Sequence, residues 1–183
     1  MSERVEIRGR VVQMPDDLNT DVLHPSRFYS LDRATVKAGL RTGCGSDADQ
    51  PGCGSDAEPG CGSDADLPAP SIIVGGRNFG YGSSRETTLQ SLRLNGFALI
   101  IATTISRIFW RNAVNAGLWV LEAGDDLKRL REVDELIANP ELGRISSVDG
   151  SRVVEVEPPD AYDLAVLRAG GLLPWLTSPG QPL

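Results

Sequence analysis

The chain has 183 residues, of which 40% are hydrophobic and 23% charged, and this length and composition fit one α/β domain. Its formal net charge of -7 argues against a nucleic acid or an anionic membrane surface as the main partner, although a local site for a small anion is compatible with it. No apolar run approaches the roughly 20 residues that span a bilayer, and the N-terminus lacks the features of a signal peptide. We therefore expect a cytoplasmic protein without a membrane partner.

The first segment of the chain predicts a β-ribbon. Its apolar residues are Val5, Ile7, Val11 and Val12. We expect Gly9 to break this ribbon and the turn-forming run 15–17 to end it. His24, the single histidine, precedes a proline in a predicted loop, so we interpret it as an exposed or packing residue rather than a catalyst.

A tandem repeat at residues 43–68 contains all three cysteines. It carries six acidic residues and no Lys or Arg, so without it the formal net charge would change from -7 to -1. The repeat has too few apolar residues to offset the entropy cost of ordering. We therefore predict a disordered or mobile low-complexity insertion within one domain that spans residues 1–183.

Two functional interpretations of the repeat agree less well with its sequence than a low-complexity insertion does. Calcium-binding nonapeptide repeats share its Gly-x-Gly-x-Asp core, but they place a large aliphatic residue two positions later, where this chain has acidic residues. Cysteine ligands of a metal or an iron–sulfur cluster are normally closely spaced, whereas Cys44, Cys53 and Cys61 are separated by eight and seven residues. We predict no metal ligands in this chain.

The middle of the chain alternates predicted strands and helices. Ser71–Gly75 predicts a buried strand, the glycine-rich loop 76–82 follows, and a helix is expected from about Ser84 to Leu94. Asn95-Gly96 supplies the stop of this helix. The continuous apolar run Phe97–Ile101 predicts a strand that is covered on both faces.

A second helix is predicted next, with Thr103 or Thr104 as its cap. Its apolar positions at helical spacing are Ile105, Ile108, Phe109, Ala113 and Ala116. Gly117 ends this helix and the following strand is 118–121, so the order strand, helix, strand, helix, strand predicts a central parallel sheet. Further on, we expect a surface helix at 126–139, a strand at 152–156 and a helix at 161–169.

The loop from Gly76 to Glu86 has the composition of an oxyanion site. It lies where a strand gives way to a helix, its glycines allow close approach of a ligand, and the Arg85 fork suits a carboxylate or a phosphate. Ser83-x-x-Glu86 also has the spacing of a capping box, so an alternative is that Ser83 only holds the helix start. The Lys-Ser/Thr ending of nucleotide phosphate loops and the Gly-x-Ser-x-Gly elbow of esterases are absent.

Several motifs in combination resemble one enzyme family. They are Gly80-x-Gly82-Ser83-Ser84-Arg85-Glu86, Ile100-Ile101-Ala102, Ser106-Arg107-Ile108-Phe109, Arg111-Asn112-Ala113-x-Asn115-x-Gly117-Leu118, Asn19-Thr20-Asp21 and the tail from Leu167 to Leu173. Together they resemble the small subunit of isopropylmalate dehydratase, which corresponds to the swivelling domain of aconitase. The resemblance covers nearly the whole chain outside the repeat.

This resemblance implies a swivelling β/β/α domain and half of an active site. A large partner subunit would hold a four-iron, four-sulfur cluster that acts as a Lewis acid on a small dicarboxylic hydroxy acid. In this chain the resemblance makes Ser83 the catalytic base, with Ser84 and Arg85 on the substrate carboxylate. Gly82 and Asp21 are possible positioning residues. The implied activity is isomerisation of 2-isopropylmalate and 3-isopropylmalate by dehydration and rehydration, in leucine biosynthesis.

The family's substrate-recognition loop corresponds to Phe28, Tyr29, Ser30 and Leu31. Relatives that act on longer or more polar acids often have arginine where this chain has Ser30, and the apolar neighbours favour an alkyl substituent. Alternatives are that the aromatic residues pack on the domain itself, or that Arg27 or Arg33 reaches into the pocket.

The sequence departs from the family pattern at two further positions, where Tyr81 replaces a frequent cysteine and Thr87 replaces a frequent histidine. Two alternative functions therefore stay open. One is the same chemistry on homoaconitate, citraconate with methylmalate, or dimethylmaleate. The other is a non-catalytic anion-binding domain of the same fold.

Overall fold

The structure, a computed structural model, describes residues 5–40, 70–82, 85–130 and 132–178. The strands within these residues are β1 (Ile7–Gln13), β2 (Ser71–Gly75), β3 (Phe97–Ala102), β4 (Trp119–Glu122), β5 (Glu135–Asn139), β6 (Arg144–Ser147) and β7 (Val153–Glu155). The helices are α1 (Thr20–Leu23), α2 (Arg33–Ala38), α3 (Glu86–Leu94), α4 (Arg107–Asn115), α5 (Ala161–Arg168) and α6 (Leu172–Thr177). The described strands form one sheet in the order β4-β3-β2-β1-β5-β6-β7.

Strands β1 to β4 form the parallel half of the sheet. All five residues of β2 are buried, because β2 lies in the middle of this half between β1 and β3. Ile73 of β2 is opposite Val12 on one side and Ile100 on the other. The predicted strands at 71–75, 97–101 and 118–121 and their parallel arrangement are confirmed.

Strands β5 to β7 form an antiparallel meander that starts by pairing with β1. Buried and half-buried residues alternate along β5, as expected for a strand with one covered face. The predicted surface helix at 126–139 is therefore wrong: a 3-10 helix occupies Gly124–Leu130 and β5 occupies the end of that range. Glu135–Asn139 forms a strand because it pairs through backbone hydrogen bonds with β1. This long-range pairing outweighs the local helix propensity of the segment.

The 3-10 helix Gly124–Leu130 packs against both β3 and β7, which lie in different halves of the sheet. Leu127 and Leu130 of this helix are fully buried. Helices α2, α3 and α4 pack on one another in sequence, and α5 and α6 pack against α4. The single hydrophobic core includes β2, β3 and β4 together with Leu89, Phe109 and Val166 from the helices.

Three local predictions need correction. The first strand is continuous through Gly9, which lies against the backbone of Pro70 and has Leu136 opposite it. Helix α4 is capped by the side chain of Ser106 rather than by Thr103 or Thr104. Ile108, predicted as a core position of this helix, is 57% exposed.

The ends of the other helices follow the sequence signals more closely. Helix α3 ends at Asn95, followed by Gly96 at a φ of 83°, as predicted. It begins at Glu86 with Arg85 as its N-cap. The capping-box alternative depends on Ser83, which lies outside the described residues. The strand at 152–156 and the helix at 161–169 are confirmed within one or two residues, whereas β6 and α6 are additional elements.

The repeat at 43–68 lies outside the described residues, as do Ser83 and Ser84. Within the described ranges, no helix combines the length and the apolar character that crossing a membrane requires.

Candidate active site

The glycine-rich loop after β2 is hydrogen-bonded to the segment after β1. The amide of Gly80 donates to the carbonyl of Leu18 at 2.9 Å, and the amide of Thr20 donates to the carbonyl of Tyr81 at 2.9 Å. Asn19 and Tyr81 form a parallel β-bridge there. Since carboxyl ends of parallel strands meet at one edge of a sheet, this edge is where a ligand is expected.

The segment before α4 supports the same loop from the other side. The amide of Phe79 donates to the carbonyl of Thr104, and the hydroxyl of Ser106 donates to the carbonyl of Gly80 at 2.8 Å. Phe79 is fully buried and packs edge-on against Phe109, with ring centroids 5.4 Å apart. The loop is therefore anchored to the core at Phe79, one residue before its glycines.

Two glycines of the loop adopt positive φ angles in tight surroundings. A Cβ at Gly80, where φ is 74°, would lie 2.5 Å from the Phe109 ring. A Cβ at Gly82, where φ is 99°, would lie 2.6 Å from the side-chain oxygen of Asn19. That oxygen accepts a hydrogen bond from the amide of Asp21 and caps α1. Gly82 thus lets the chain pass directly over the helix that carries Asp21.

Arg85, Asp21 and Tyr29 meet beside this loop. The Arg85 guanidinium is 3.3 Å from a carboxylate oxygen of Asp21, and its central carbon lies 4.4 Å from the centroid of the Tyr29 ring. The Tyr29 hydroxyl donates to the same Asp21 oxygen at 3.1 Å. The side chains of Arg85 and Asp21 are 44% and 49% exposed, so a ligand can reach both.

Burial raises the pKa of the Tyr29 phenol above 10.0, and the neighbouring Asp21 charge adds to this rise, while the Arg85 cation partly opposes it. The phenol therefore stays protonated at neutral pH and acts as a hydrogen-bond donor to the carboxylate.

The N-terminus of α3 makes this edge of the sheet favourable for binding an anion. Arg85 is extended and its side chain makes no capping hydrogen bond to α3. The amide groups of the first turn and the positive end of the helix dipole therefore lie beside a guanidinium. This combination suits a carboxylate better than a neutral ligand.

The residues of the predicted recognition loop differ in burial, from a core position to full exposure. Phe28 is only 7% exposed and packs on the domain itself, which agrees with the alternative interpretation for that residue. The Ser30 hydroxyl accepts from the amide of Asp32, and Leu31 is fully exposed. Tyr29 is partly buried and contacts Arg85.

The two arginines that flank the recognition loop have different surroundings. Arg27 lies over the Phe28 ring at 4.8 Å from its centroid. Arg33 lines a cavity of about 650 Å³ with Arg93 of α3 and Leu173 of α6. That either arginine reaches into the pocket stays a prediction.

His24 is fully buried, and its Nε2 is 3.0 Å from the carbonyl oxygen of Val36. The interpretation of His24 as a packing residue is confirmed. Its ring also stacks on Tyr29, with centroids 5.5 Å apart.

The sequence interpretation missed two features of the site. Asn19 is the residue that shapes the contact with Gly82, and its position before a short helix was the available signal. The stacking of Arg85 on Tyr29 had no local signal, because it joins two loops that are distant in sequence.

Comparison with known proteins identifies the family. The model of the aconitase C-terminal domain matches residues 64–125. The 3-isopropylmalate dehydratase small subunit of Pyrobaculum neutrophilum is 32% identical over 97% of this chain and 100% of its own length. The chain belongs to the family of 3-isopropylmalate dehydratase small subunits.

Two further members of this family come from Methanocaldococcus jannaschii. Its isopropylmalate/citramalate isomerase small subunit is 34% identical over 93% of this chain and 93% of its own length. The crystal structure of its 3-isopropylmalate dehydratase has a TM-score of 0.74 at 26% identity, covering 94% of this chain and 93% of that chain. The predicted family, the α/β fold of aconitase type and the hydro-lyase class are thereby confirmed.

Aconitase-family hydro-lyases are associated with an iron–sulfur cluster, but the described residues do not fit one. They contain no group of three or more His, Cys, Asp or Glu side chains placed to hold a metal ion. The three cysteines all belong to the repeat at 43–68, outside the described ranges.

Proposed function

We propose that this chain is the small subunit of a heteromeric hydro-lyase that interconverts 2-isopropylmalate and 3-isopropylmalate, a step of leucine biosynthesis. The observation that carries the proposal is the Arg85 guanidinium, half-exposed at the start of α3 and held by Asp21 and Tyr29. Membership of the family supplies the reaction class. The proposal places the enzyme in the cytoplasm, with residues 1–183 as one swivelling domain.

A large partner subunit completes the enzyme in this proposal. This proposal gives it the four-iron, four-sulfur cluster, as the resemblance to the family implies, and the described residues of this chain offer no ligand set for one. The small subunit contributes substrate binding, orientation and a proton acceptor.

Arg85 binds a carboxylate of the substrate in this proposal. Its contact with Asp21 joins two groups that are both well exposed, so that ion pair contributes only about 0–1 kcal/mol. A guanidinium has five N–H donors, more than one carboxylate oxygen can accept, and it can form a bidentate pair with a second carboxylate. Ser84 precedes Arg85 in the chain, and we assign its hydroxyl to the same carboxylate.

Ser83 is the proposed base. It follows Gly82, whose backbone lies against the Asn19 side chain. Its alkoxide takes the proton from the carbon next to the substrate carboxylate, and it returns a proton during rehydration. Arg85 and the N-terminus of α3 follow Ser83 closely in the chain, and a cation and a helix dipole near an alkoxide lower the cost of its negative charge.

The recognition loop supplies the apolar wall of the pocket in this proposal. Leu31 is fully exposed, Tyr29 is partly exposed and Phe28 is buried. Ser30 itself supplies no cation to the pocket. These side chains favour an isopropyl or other alkyl group over an additional carboxylate.

The decisive experiment is coexpression with a candidate large subunit, followed by anaerobic cluster reconstitution and an isomerisation assay. We expect Ser83→Ala to lower kcat about 10²–10⁴-fold, as for loss of a general base, while the subunits still assemble. Ser178→Ala, an exposed hydroxyl at the end of α6, is the matched control and should retain full activity. A fully active Ser83→Ala complex would refute the base assignment.

A second substrate is favoured by one relative, because the M. jannaschii protein is named an isopropylmalate/citramalate isomerase. The panel therefore includes citramalate, citraconate, homoaconitate and dimethylmaleate beside the isopropylmalates. The highest kcat/KM on a methyl-substituted acid would change the assigned substrate and leave the reaction class unchanged.

A non-catalytic anion-binding role makes the opposite prediction. In that case no large subunit restores activity on any acid of the panel, and anion binding to the full chain alone still depends on Arg85.

A further inference from the structure

Tyr29 contacts both charged residues of the candidate site at once. Its ring lies under the Arg85 guanidinium at 4.4 Å from centroid to carbon, and its hydroxyl donates to Asp21 at 3.1 Å. The same hydroxyl lies 3.3 Å from the carbonyl oxygen of His24. Tyr29 thereby joins the segment after β1 to the first residue before α3.

The ring is itself firmly supported. It stacks on His24, which is fully buried and hydrogen-bonded to the backbone of α2. A Cβ at Gly39 would lie 2.6 Å from the Nε2 atom of His24, so no side chain fits between α2 and this imidazole. A continuous set of contacts thus links the core, through His24, to the plane on which Arg85 rests.

Arg85 needs such support because its Asp21 contact is weak. Both side chains of the pair are about half-exposed, so their ion pair contributes little stability, whereas fixing an arginine side chain costs rotamer entropy. An aromatic face attracts a guanidinium without using its N–H donors. A second carboxylate in place of Tyr29 would occupy those donors and compete with an anionic substrate.

We propose that Tyr29 is a positioning residue, which holds the Arg85 guanidinium over its ring so that the remaining N–H donors are presented to a substrate carboxylate. This inference rests on the proposed function, in which Arg85 binds that carboxylate. It assigns Tyr29 a role through Arg85 rather than through direct contact with the alkyl group of the substrate.

The first test measures kcat and KM of the reconstituted complex with three variants. Tyr29→Leu removes the ring, and we expect KM to rise about 3- to 10-fold with kcat changed less than 2-fold. Tyr29→Phe keeps the ring and should restore KM to within about 2-fold of the wild type. Tyr162→Leu, an exposed tyrosine on α5, controls for loss of an aromatic residue and should leave both constants unchanged. A Tyr29→Phe variant as impaired as Tyr29→Leu would overturn the proposal.

A double-mutant cycle separates this proposal from the proposed function. Arg85→Gln alone should raise KM about 10- to 100-fold, and adding Tyr29→Leu should then have no further effect on KM. Equal effects of Tyr29→Leu with and without Arg85 would overturn the positioning role. An unchanged KM in Arg85→Gln would instead overturn the carboxylate assignment of the proposed function.

An activity-independent readout completes the test. In NMR spectra of the full chain with labelled arginine, the side-chain N–H resonance of Arg85 should show a ring-current shift. This shift should persist in Tyr29→Phe and disappear in Tyr29→Leu. An Arg85 resonance that is the same in Tyr29→Leu as in the wild type would overturn the stacking on which the proposal depends.

Discussion

One carboxylate near each half of the sheet shows a difference in how hydrogen-bond partners are supplied. In the parallel half, Asp21 accepts from Tyr29 and Arg85, partners 8 and 64 positions away in the chain. In the antiparallel meander, Asp149 accepts from Ser147 and Ser151, each two positions away within one hairpin turn. Asp149 is therefore satisfied by its own turn, whereas Asp21 meets charged and polar groups from separate loops at one edge of the sheet. Asp21 and Arg85 contact each other and are also accessible to a ligand.

The halves also differ in how their strands are covered. Strand β2 is buried along its whole length, while the residues of β5 alternate between buried and half-buried. Ile73 of β2 and Ile145 of β6 are both fully buried and so offer a matched pair of probes. Replacing either isoleucine by alanine would leave a cavity. A difference between the two losses of folding stability would show which half of the sheet relaxes better around that cavity.

The largest predicted effect is therefore on folding stability. Ile73→Ala should lower the free energy of unfolding by about 4 kcal/mol, and Ile145→Ala by about 2 kcal/mol, because the meander near the sheet edge can collapse further into the cavity. Denaturant titration of the purified chain measures both. Equal losses would show that the two halves are equally rigid and would remove this part of the comparison.

This difference in covering also explains what could be predicted from the sequence. The apolar runs that form β2 and β3 are continuous and bounded by glycines, so their identity as buried parallel strands follows from local pattern. In 126–139, Leu127, Leu130 and Val133 recur at helical spacing, yet Leu136 and Ala138 become buried in a strand. One of the two pairing partners of that strand, β1, is far away in sequence, so local propensity gives no indication of that pairing.

The candidate site shows the same limit. Gly82, Asp21 and Arg85 were predicted from motifs, and the structure brings their segments together. The ring contact between Tyr29 and Arg85 depends on how two loops meet across the sheet edge, which no spacing along the chain encodes.

The second prediction contrasts two glycines that share a positive φ. Gly80 has φ 74° and the Phe109 ring where a Cβ would lie, whereas Gly150 in the meander has φ 70° and nothing within 4 Å of that point. Gly80→Ala should cost about 2–3 kcal/mol, from backbone strain together with overpacking, and should strongly lower activity of the reconstituted complex. Gly150→Ala should cost about 1 kcal/mol from backbone strain alone and leave activity intact. Loss of activity in both variants would show that the meander also shapes the site.

The third prediction concerns pH and the meander turn. The Ser147 hydroxyl, followed by the Ser151 amide and hydroxyl, lowers the pKa of Asp149 from 3.8 to about 2. A depressed pKa contributes stability that is present above pH 3.8 and is lost as the pH falls through about 2. Asp149→Asn should therefore lower Tm by a few degrees at pH 6, and the difference from wild type should shrink below about pH 4. A constant difference at every pH would mean that the carboxylate charge is irrelevant to the turn.

The smallest effect is spectroscopic and returns to the parallel half. Burial raises the pKa of the Tyr29 phenol, so this group binds its proton more tightly in the folded chain than in the unfolded one. The stability that this provides is present below pH 10.0, the ordinary value, and is lost as the pH rises through the higher folded pKa. In an ultraviolet titration, subtracting the Tyr29→Phe curve from the wild-type curve should leave one phenol that ionises above pH 10.0 in folded protein. In denaturant the same difference curve should move down to the ordinary pKa. A difference curve with the same midpoint in both states would show that Tyr29 is as solvated as a free phenol. Arg85 would then lack a partly buried aromatic ring to rest on at the edge where the parallel strands end.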